Sequence, residues 1–389
     1  MHTVSMPPGA ERSPRQLWRL AILVAFATLA ALFVRITGPT EQLATGADPV
    51  QAAAGPTRPP ALTVALTGEI LPHPSVVEHA RRFGAATGVA YDFGPMFALI
   101  ADHLAAADLA ICHLEVPVAP AGEPLSGYPD FGIPAEIGPG IGSAGWDRCS
   151  TASNHVVDRG TAGIVATLDA LDAGGVTHHG TARSADEAAV TGVIEVDGVR
   201  VAHLSYTWGF NGSSPREAWM ANTIDPARIL ADATRARADG AAVVIVSVHW
   251  GDEYDSAGSA AQRSLADQLL ASPDIDLLVG HGPHVLQPIE VVHGKYALLS
   301  VGNLVANQGS ERPSTYDGVI VDVTFSLGAD GRYSAAAPMV HPTWYDPSAG
   351  VVRVVSPSLA DPALAPIAPQ LQASLARTRA VMDPYVVLG

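Results

Sequence analysis

The sequence predicts a layered α/β fold, and three observations predict it. Short, continuously apolar, β-rich runs alternate with alanine-rich stretches of helical length. Runs of that kind form strands buried on both faces beneath helices. Hydrophobic residues make up 48% of the 389 and charged residues only 15%, so a large core can be buried. Polar residues gather where the apolar runs end, the edge at which layered sheets hold their ligands.

Taken in order, the strand-like runs are 62–67 (L-T-V-A-L-T), 108–115 (D-L-A-I-C-H-L-E), 149–153 (C-S-T-A-S), 201–206, 243–248 and 276–280. Helical spacing fills 94–107, 162–173, 225–239 and 259–271, with Asp225-Pro226 a start signal for the third. The stretch V-I-E-V-D-G-V-R-V (193–201) carries an Asp-Gly hairpin signal. Beyond 295, strand runs at 296–301, 318–325 and 351–355 precede a helical tail at 364–382. The expected organisation is a main domain at 61–325 and a strand and helix extension at 326–389, packed on it as more sheet.

The N-terminus reads differently. Arg12, Arg15 and Arg19 precede an uncharged apolar run from Leu20 to Val34 that Arg35 closes. Fifteen residues at ~1.5 Å each span ~22 Å, short of the ~30 Å hydrocarbon core, and Trp18, Ile36 and snorkelling arginines extend it. The expectation is a cytoplasmic tail at 1–16, an uncleaved anchor at 17–36 and a Gly/Pro/Thr/Ala linker at 37–60. A cleaved signal peptide is the competing reading, but its nearest small-residue site ends at Ala47, well past the apolar run. Both readings place the body outside the cytoplasm, because the cationic flank stays inside. The two cysteines, Cys112 and Cys149, sit within apolar runs and are expected as buried free thiols rather than as a disulfide.

Charge excludes one class of partner. With 38 acidic against 22 basic residues the formal charge is −16, the opposite of a nucleic-acid footprint. Lys295 is the single lysine and carries no Schiff-base signal. G-I-G-S-A-G (140–145) matches a dinucleotide fingerprint by letters only, since no strand feeds it and no helix follows. No G-x-S-x-G elbow is present.

What remains is a set of polar strand ends. They hold Glu69, His113 with Glu115, Asn154 with His155 and then Asp158, His249, and His281 with His284. A single histidine of this kind is usually a satisfied core or turn residue. Repetition at every major strand end points instead to a ligand cluster. Oxygen and imidazole without thiolate suit Mn, Fe or Zn, as one or two ions, in a hydrolytic site. His203 lies within its strand and reads as core; His73, His79, His178 and His179 fit no pattern and stay outside the site.

At these residues the sequence resembles the CapA family, the capsule or poly-γ-glutamate synthesis proteins with a calcineurin-like metallophosphoesterase fold. L-T-G-E-I-L (66–71), H-L-E-V-P-V (113–118), A-S-N-H-V-V-D-R-G (152–160), V-H-W-G-D-E-Y (248–254) and V-G-H-G-P-H-V-L-Q-P-I-E (279–290) carry the resemblance. It implies a β-sandwich flanked by helices, with Glu69, Glu115, Asn154, His249, His281 and His284 as metal ligands and His155 as proton donor. It further implies Glu253 and Asn303 at the rim, and Tyr206 and Asn211 on the substrate side. The sequence departs from the family pattern at Glu69, usually Asp, at His113, usually Asn, and at Ser153, usually a second Asn; His113 is then itself a candidate ligand. The implied role is membrane-anchored work on a capsule or cell-wall polymer together with its synthesis and export machinery. A free-standing metal-dependent phosphoesterase and a non-catalytic polymer-binding module are the alternatives.

Overall fold

The computed structural model describes residues 61–387, which belong to the compact unit Gly55–Gly389. The tail, anchor and linker expected at 1–60 lie outside the described residues. Among the described residues no helix is long and apolar enough to cross a membrane.

Two sheets face each other, with helices on both outer faces. The strands are β1 (Ala61–Ile70), β2 (Leu109–Leu114), β3 (Arg148–Ser150), β4 (Thr177–His179), β5 (Val193–Val196), β6 (Val199–Thr207), β7 (Val243–His249) and β8 (Leu277–His281). They continue as β9 (Ile289–Val292), β10 (Lys295–Leu298), β11 (Asn303–Val305), β12 (Asp317–Leu327), β13 (Tyr333–Ala335), β14 (Met339–Asp346) and β15 (Val351–Val354). The helices are α1 (Pro74–Thr87), α2 (Gly94–Phe97), α3 (Ala101–Ala106), α4 (Ile137–Ala144) and α5 (Gly160–Ala173). After them come α6 (Ala185–Ala188), α7 (Pro226–Ala238), α8 (Ala260–Leu270), α9 (Val355–Ala360) and α10 (Ala368–Met382). One sheet runs β15-β14-β12-β1-β2-β3-β4, with β11 on β1 and β13 on β12; the other runs β5-β6-β7-β8-β10-β9. The C-terminal strands β14 and β15 extend the first sheet.

Strand alternation sorts the side chains into three cores. Leu62, Val64, Leu66, Leu109, Ile111, Val243, Ile245, Leu277 and Val279 meet between the sheets. Ala110, Cys112 and Leu114 take the opposite parity and face α1 to α5. Ala202, Leu204, Tyr206, Val244, Val246 and Val248 face α7 and α8. Successive side chains point to opposite faces, so His113, His249 and His281 inherit the inter-sheet direction from Ile111, Ile245 and Val279.

Three expectations need correction. Cys112 and Cys149 form a disulfide, not free thiols. They are directly opposite across the parallel β2–β3 pair, a register that two apolar runs read separately do not reveal. The helix expected over 94–107 is two, α2 and α3, with a turn between them that buries Ile100 beside Phe97 and Leu104. G-I-G-S-A (140–144) lies in α4, a helix absent from the sequence reading, and Gly145 ends it in a left-handed conformation. A Cβ on Gly142 would fall 1.9 Å from the Gly174 carbonyl, so this glycine serves close packing of α4 against the end of α5. The disulfide closes 37 residues, which the chain-entropy relation equates with about 3–4 kcal/mol. Reductant, or Cys149→Ser, is expected to lower stability by about that amount in urea melts; unchanged midpoints would show the pair carries no such constraint.

Candidate metal centre

A bulge sets the first ligand. Between β1 and β2 the register runs Leu66↔Ile111 and then Glu69↔His113, one residue longer on β1. Simple alternation from Leu66 would turn Gly68 inward. The extra residue turns Glu69 inward instead, the re-aiming that bulges provide beside functional sites. Gly68 makes this possible, because a Cβ there would fall 2.5 Å from the Gly302 carbonyl. The parallel pairing of β1 with β11 then sets Asn303 opposite Glu69.

The polar strand ends converge in two overlapping groups of potential ligand atoms: His113, Glu115 and His249, and Glu69, Glu115 and His284. Glu115 belongs to both. All five residues are buried. His113 Nε2 lies 3.1 Å from His249 Nδ1, and the His113 ring stacks on His281 with centroids 4.2 Å apart. Ser150 donates its hydroxyl proton to the Cys112 carbonyl at 3.2 Å, and its oxygen lies 2.8 Å from His113 Nδ1. The proton of His113 is thereby placed on Nδ1, which leaves Nε2 bare toward His249. Two ring nitrogens about 3 Å apart match neighbouring ligands on one ion with metal–nitrogen bonds of ~2.0–2.1 Å.

Burial, ahead of the neighbouring histidines, pushes His113 well below its ordinary value. Burial likewise lowers His249 to about 3 and His281 to about 4, against an upward pull from Glu69. These rings are neutral at pH 7 and offer lone pairs, as metal binding requires. His284 behaves oppositely: burial would lower it, but Glu69 and then Glu115 raise it to about 10. Its Nδ1 is 2.5 Å from Glu69 Oε2 and 3.3 Å from Asn303 Oδ1. The Gly282 N–H donates to the other Glu69 oxygen at 2.5 Å. His284 sits at φ 62°, a left-handed conformation that is uncommon for non-glycine residues and concentrated at functional sites.

Several buried acceptor atoms have no hydrogen-bond partner: both carboxylate oxygens of Glu115, Asn154 Oδ1 and His281 Nδ1. Unpaired buried acceptors are costly. A cation held between the two ligand groups would satisfy the Glu115 oxygens they share, so the donor set fits a metal.

The structure distributes the remaining expected residues unevenly. His155 stands with its Nδ1 2.7 Å from Asp158 Oδ2, and Asn211 approaches its Nε2 at 3.4 Å. Asn303 touches His284 and holds its own amide on Gln308 and the Thr315 carbonyl, so it positions rather than lines a rim. Glu253 is exposed on the loop after β7. Tyr206 is a correction. It shares parity with Ala202 and Leu204, and its hydroxyl donates to Asp232 of α7 at 2.9 Å, on the far side of the second sheet. His203 lies in the interior against Ser247 and Arg148, as expected of a core histidine. Sequence reasoning missed Ser150 and Phe131 altogether. Phe131 packs edge-on against His155, and its N–H donates to Asp158. Ser150 stands at a strand end beside Cys149, so parity was the available signal; Phe131 lies in a loop with none.

Comparison with known proteins adds the family. The model for bacterial capsule synthesis protein PGA_cap matches residues 63–308, more than half of the chain. The chain belongs to the PGA_cap family. PGA biosynthesis protein CapA of Bacillus subtilis (strain 168) is 32% identical over 198 residues, 49% of this chain and 50% of that protein. Capsule biosynthesis protein CapA of Bacillus anthracis is 28% identical over 269 residues, 67% of this chain and 63% of that one. This PGA_cap chain therefore spans between half and two thirds of those relatives' length. A solved calcineurin-like phosphoesterase from Bacillus subtilis aligns with 82% of this chain and 99% of its own, at 15% identity and a TM-score of 0.40. The segments that supply the strand-end cluster of this PGA_cap chain, from Glu69 to His284, fall inside the matched region.

Proposed function

We propose that this chain assists the synthesis or export of a capsule or cell-wall polymer of the poly-γ-glutamate type. In this reading a single N-terminal span at 17–36 holds it in the cell membrane, and the body works outside the cytoplasm beside the polymer machinery. Membership of the PGA_cap family and the names of the CapA relatives support the role. The arginine-flanked apolar run supports the anchor.

The observation that carries a metal-dependent site is Glu115, whose two buried oxygens accept no hydrogen bond amid imidazoles. Glu69, His113, Glu115, Asn154, His249, His281 and His284 are the residues that would hold one or two ions of Mn, Fe or Zn. Such an ion, when bound, supplies Lewis acidity and a water of lowered pKa. Deleting the gene should reduce surface polyglutamate, and the wild-type gene should restore it. Restoration by the wild type but not by Glu115→Gln would tie the role to the site; a deletion strain with unchanged surface polymer would end this reading.

The pair His155–Asp158 favours a second reading, a phosphodiesterase acting on envelope phosphates. Asp158 accepts from His155 Nδ1, fixing the tautomer and stabilising the ring when Nε2 carries the proton that a leaving oxygen takes up. With bis-nitrophenyl phosphate and metal-loaded protein, His155→Ala is expected to cut turnover about 10²–10⁴-fold with metal content unchanged. Equal turnover in the variant would remove the proton-donor role.

A further inference from the structure

A second cluster lies on the opposite face of the first sheet. Asp322 of β12 pairs with Met339 and Ile320 with His341 of β14, so Asp322 and His341 emerge diagonally on one face of neighbouring strands. Ala65, opposite Asp322 on β1, belongs to the helix-covered core, so this face is turned away from Glu115 and its partners. His103 reaches the same point from α3. Its Nε2 lies 3.0 Å from Asp322 Oδ2 and 3.2 Å from Oδ1. His341 Nε2 lies 3.0 Å from the same Oδ2, and the two rings meet edge-on with centroids 4.5 Å apart.

A plain hydrogen-bonded trio would have both histidines donating to the carboxylate. His103 has that geometry, but His341 does not. Its buried Nε2 meets Asp322 Oδ2 as a charge contact, without the alignment of a full hydrogen bond. A carboxylate oxygen about 3 Å from each of two ring nitrogens, with the three residues' ligand atoms all within 4.8 Å of one another, has the spacing of neighbouring ligands around one ion with bonds of ~2.0–2.2 Å. The side chains remain 25%, 11% and 21% exposed in the order His103, Asp322, His341, which leaves an entry path and room for a water ligand.

We propose that His103, Asp322 and His341 form a second divalent transition-metal site, separate from the Glu115 cluster, that ties α3 to the β12–β14 pair. Two imidazoles and one carboxylate select Zn, Co or Ni over Ca or Mg. Three protein ligands leave a position for water, as in open zinc sites.

The test counts metal on the full chain, stripped with chelator, reloaded with Zn(II) or Co(II) and freed of excess ion. His341→Gln and, separately, His103→Gln should each lower the content by one equivalent per chain and remove one component of the Co(II) visible absorption. Far-ultraviolet circular dichroism should be unchanged. The count is repeated in a Glu115→Gln background, so loss of the main cluster and loss of this site read separately. His293→Gln, at an exposed histidine paired with Asp267, should change nothing. The proposal is overturned if either cluster variant keeps its full metal content while folded, or if His293→Gln removes as much.

Discussion

The full chain carrying Glu115→Gln is expected to lose metal from both halves of the main cluster, yet to be more stable than the unsubstituted protein when both are metal-free. The two effects share one cause. Glu115 is the residue common to the His113–His249 and Glu69–His284 groups, so no other single change removes a ligand from both. Loss of a residue that merely supports a ligand typically costs ~10–100-fold in affinity, and loss of a shared ligand should exceed ~100-fold. Without metal, however, the carboxylate is a buried group with no hydrogen-bond partner, and such a group destabilises the fold by about 1–3 kcal/mol. Burial, with Glu69 adding to it and His284 opposing, raises the Glu115 pKa well above its ordinary value. A raised folded-state value means that its contribution is intact below about pH 4.5 and is lost as pH rises through the folded value. The advantage of glutamine should therefore be near zero at pH 4 and grow toward pH 8. Metal content and urea unfolding in chelator across that range check both parts. Retained metal, or a metal-free variant weaker than the wild type at pH 8, would refute the assignment of Glu115 as the shared ligand.

Much of this site is legible in the sequence because strand chemistry is local. His113 and His281 sit two residues, and His249 four, beyond an apolar residue of the inter-sheet core on the same face of the strand, so a reader who finds the strand finds the ligand. Parity also carries information that a list of polar residues does not. Tyr206 alternates with His203, Ser205 and Thr207, and its parity places it under α7 while theirs is toward the interior. Glu69 lies at the other limit. Its direction depends on a bulge beside Gly68 and on an approach by Gly302 from more than two hundred residues away, neither of which has a local signal. The Cys112–Cys149 disulfide fails to announce itself for the same reason, since only strand register brings the two together. The His103–Asp322–His341 cluster has no strand-end signal at all, with one member in a helix and two within strands.

Glu69→Gln is expected to give the largest loss of stability at the site, about 3 kcal/mol in the metal-free protein near pH 6. Glu69 and His284 form a fully buried pair, and breaking such a pair by removing one partner costs about 3–5 kcal/mol. The lower end applies because Glu115 Oε2, 3.9 Å from the same ring nitrogen, can take over part of the interaction. Glu69 also anchors the turn through Gly282, just before the left-handed His284, so its loss loosens a backbone conformation that stores strain. The pH window follows from the two shifts. Glu69 falls to about 2, burial opposing and His284 outweighing it, so its contribution is present above about pH 4.5 and lost as pH falls through about 2. His284 rises to about 10, so its contribution is complete below about pH 6.5 and lost as pH climbs through about 10. The difference between wild type and variant should thus peak between pH 5 and 6.5 and shrink on both sides. Glu69→Asp withdraws the carboxylate by one carbon–carbon bond, ~1.5 Å, too far to reach His284 and the Gly282 N–H together, and should fall between the two. Chemical unfolding at pH 3, 6 and 9.5 distinguishes these outcomes. A variant as stable as the wild type at pH 6, or a deficit that does not change with pH, would mean that Glu69 is not the group that holds His284.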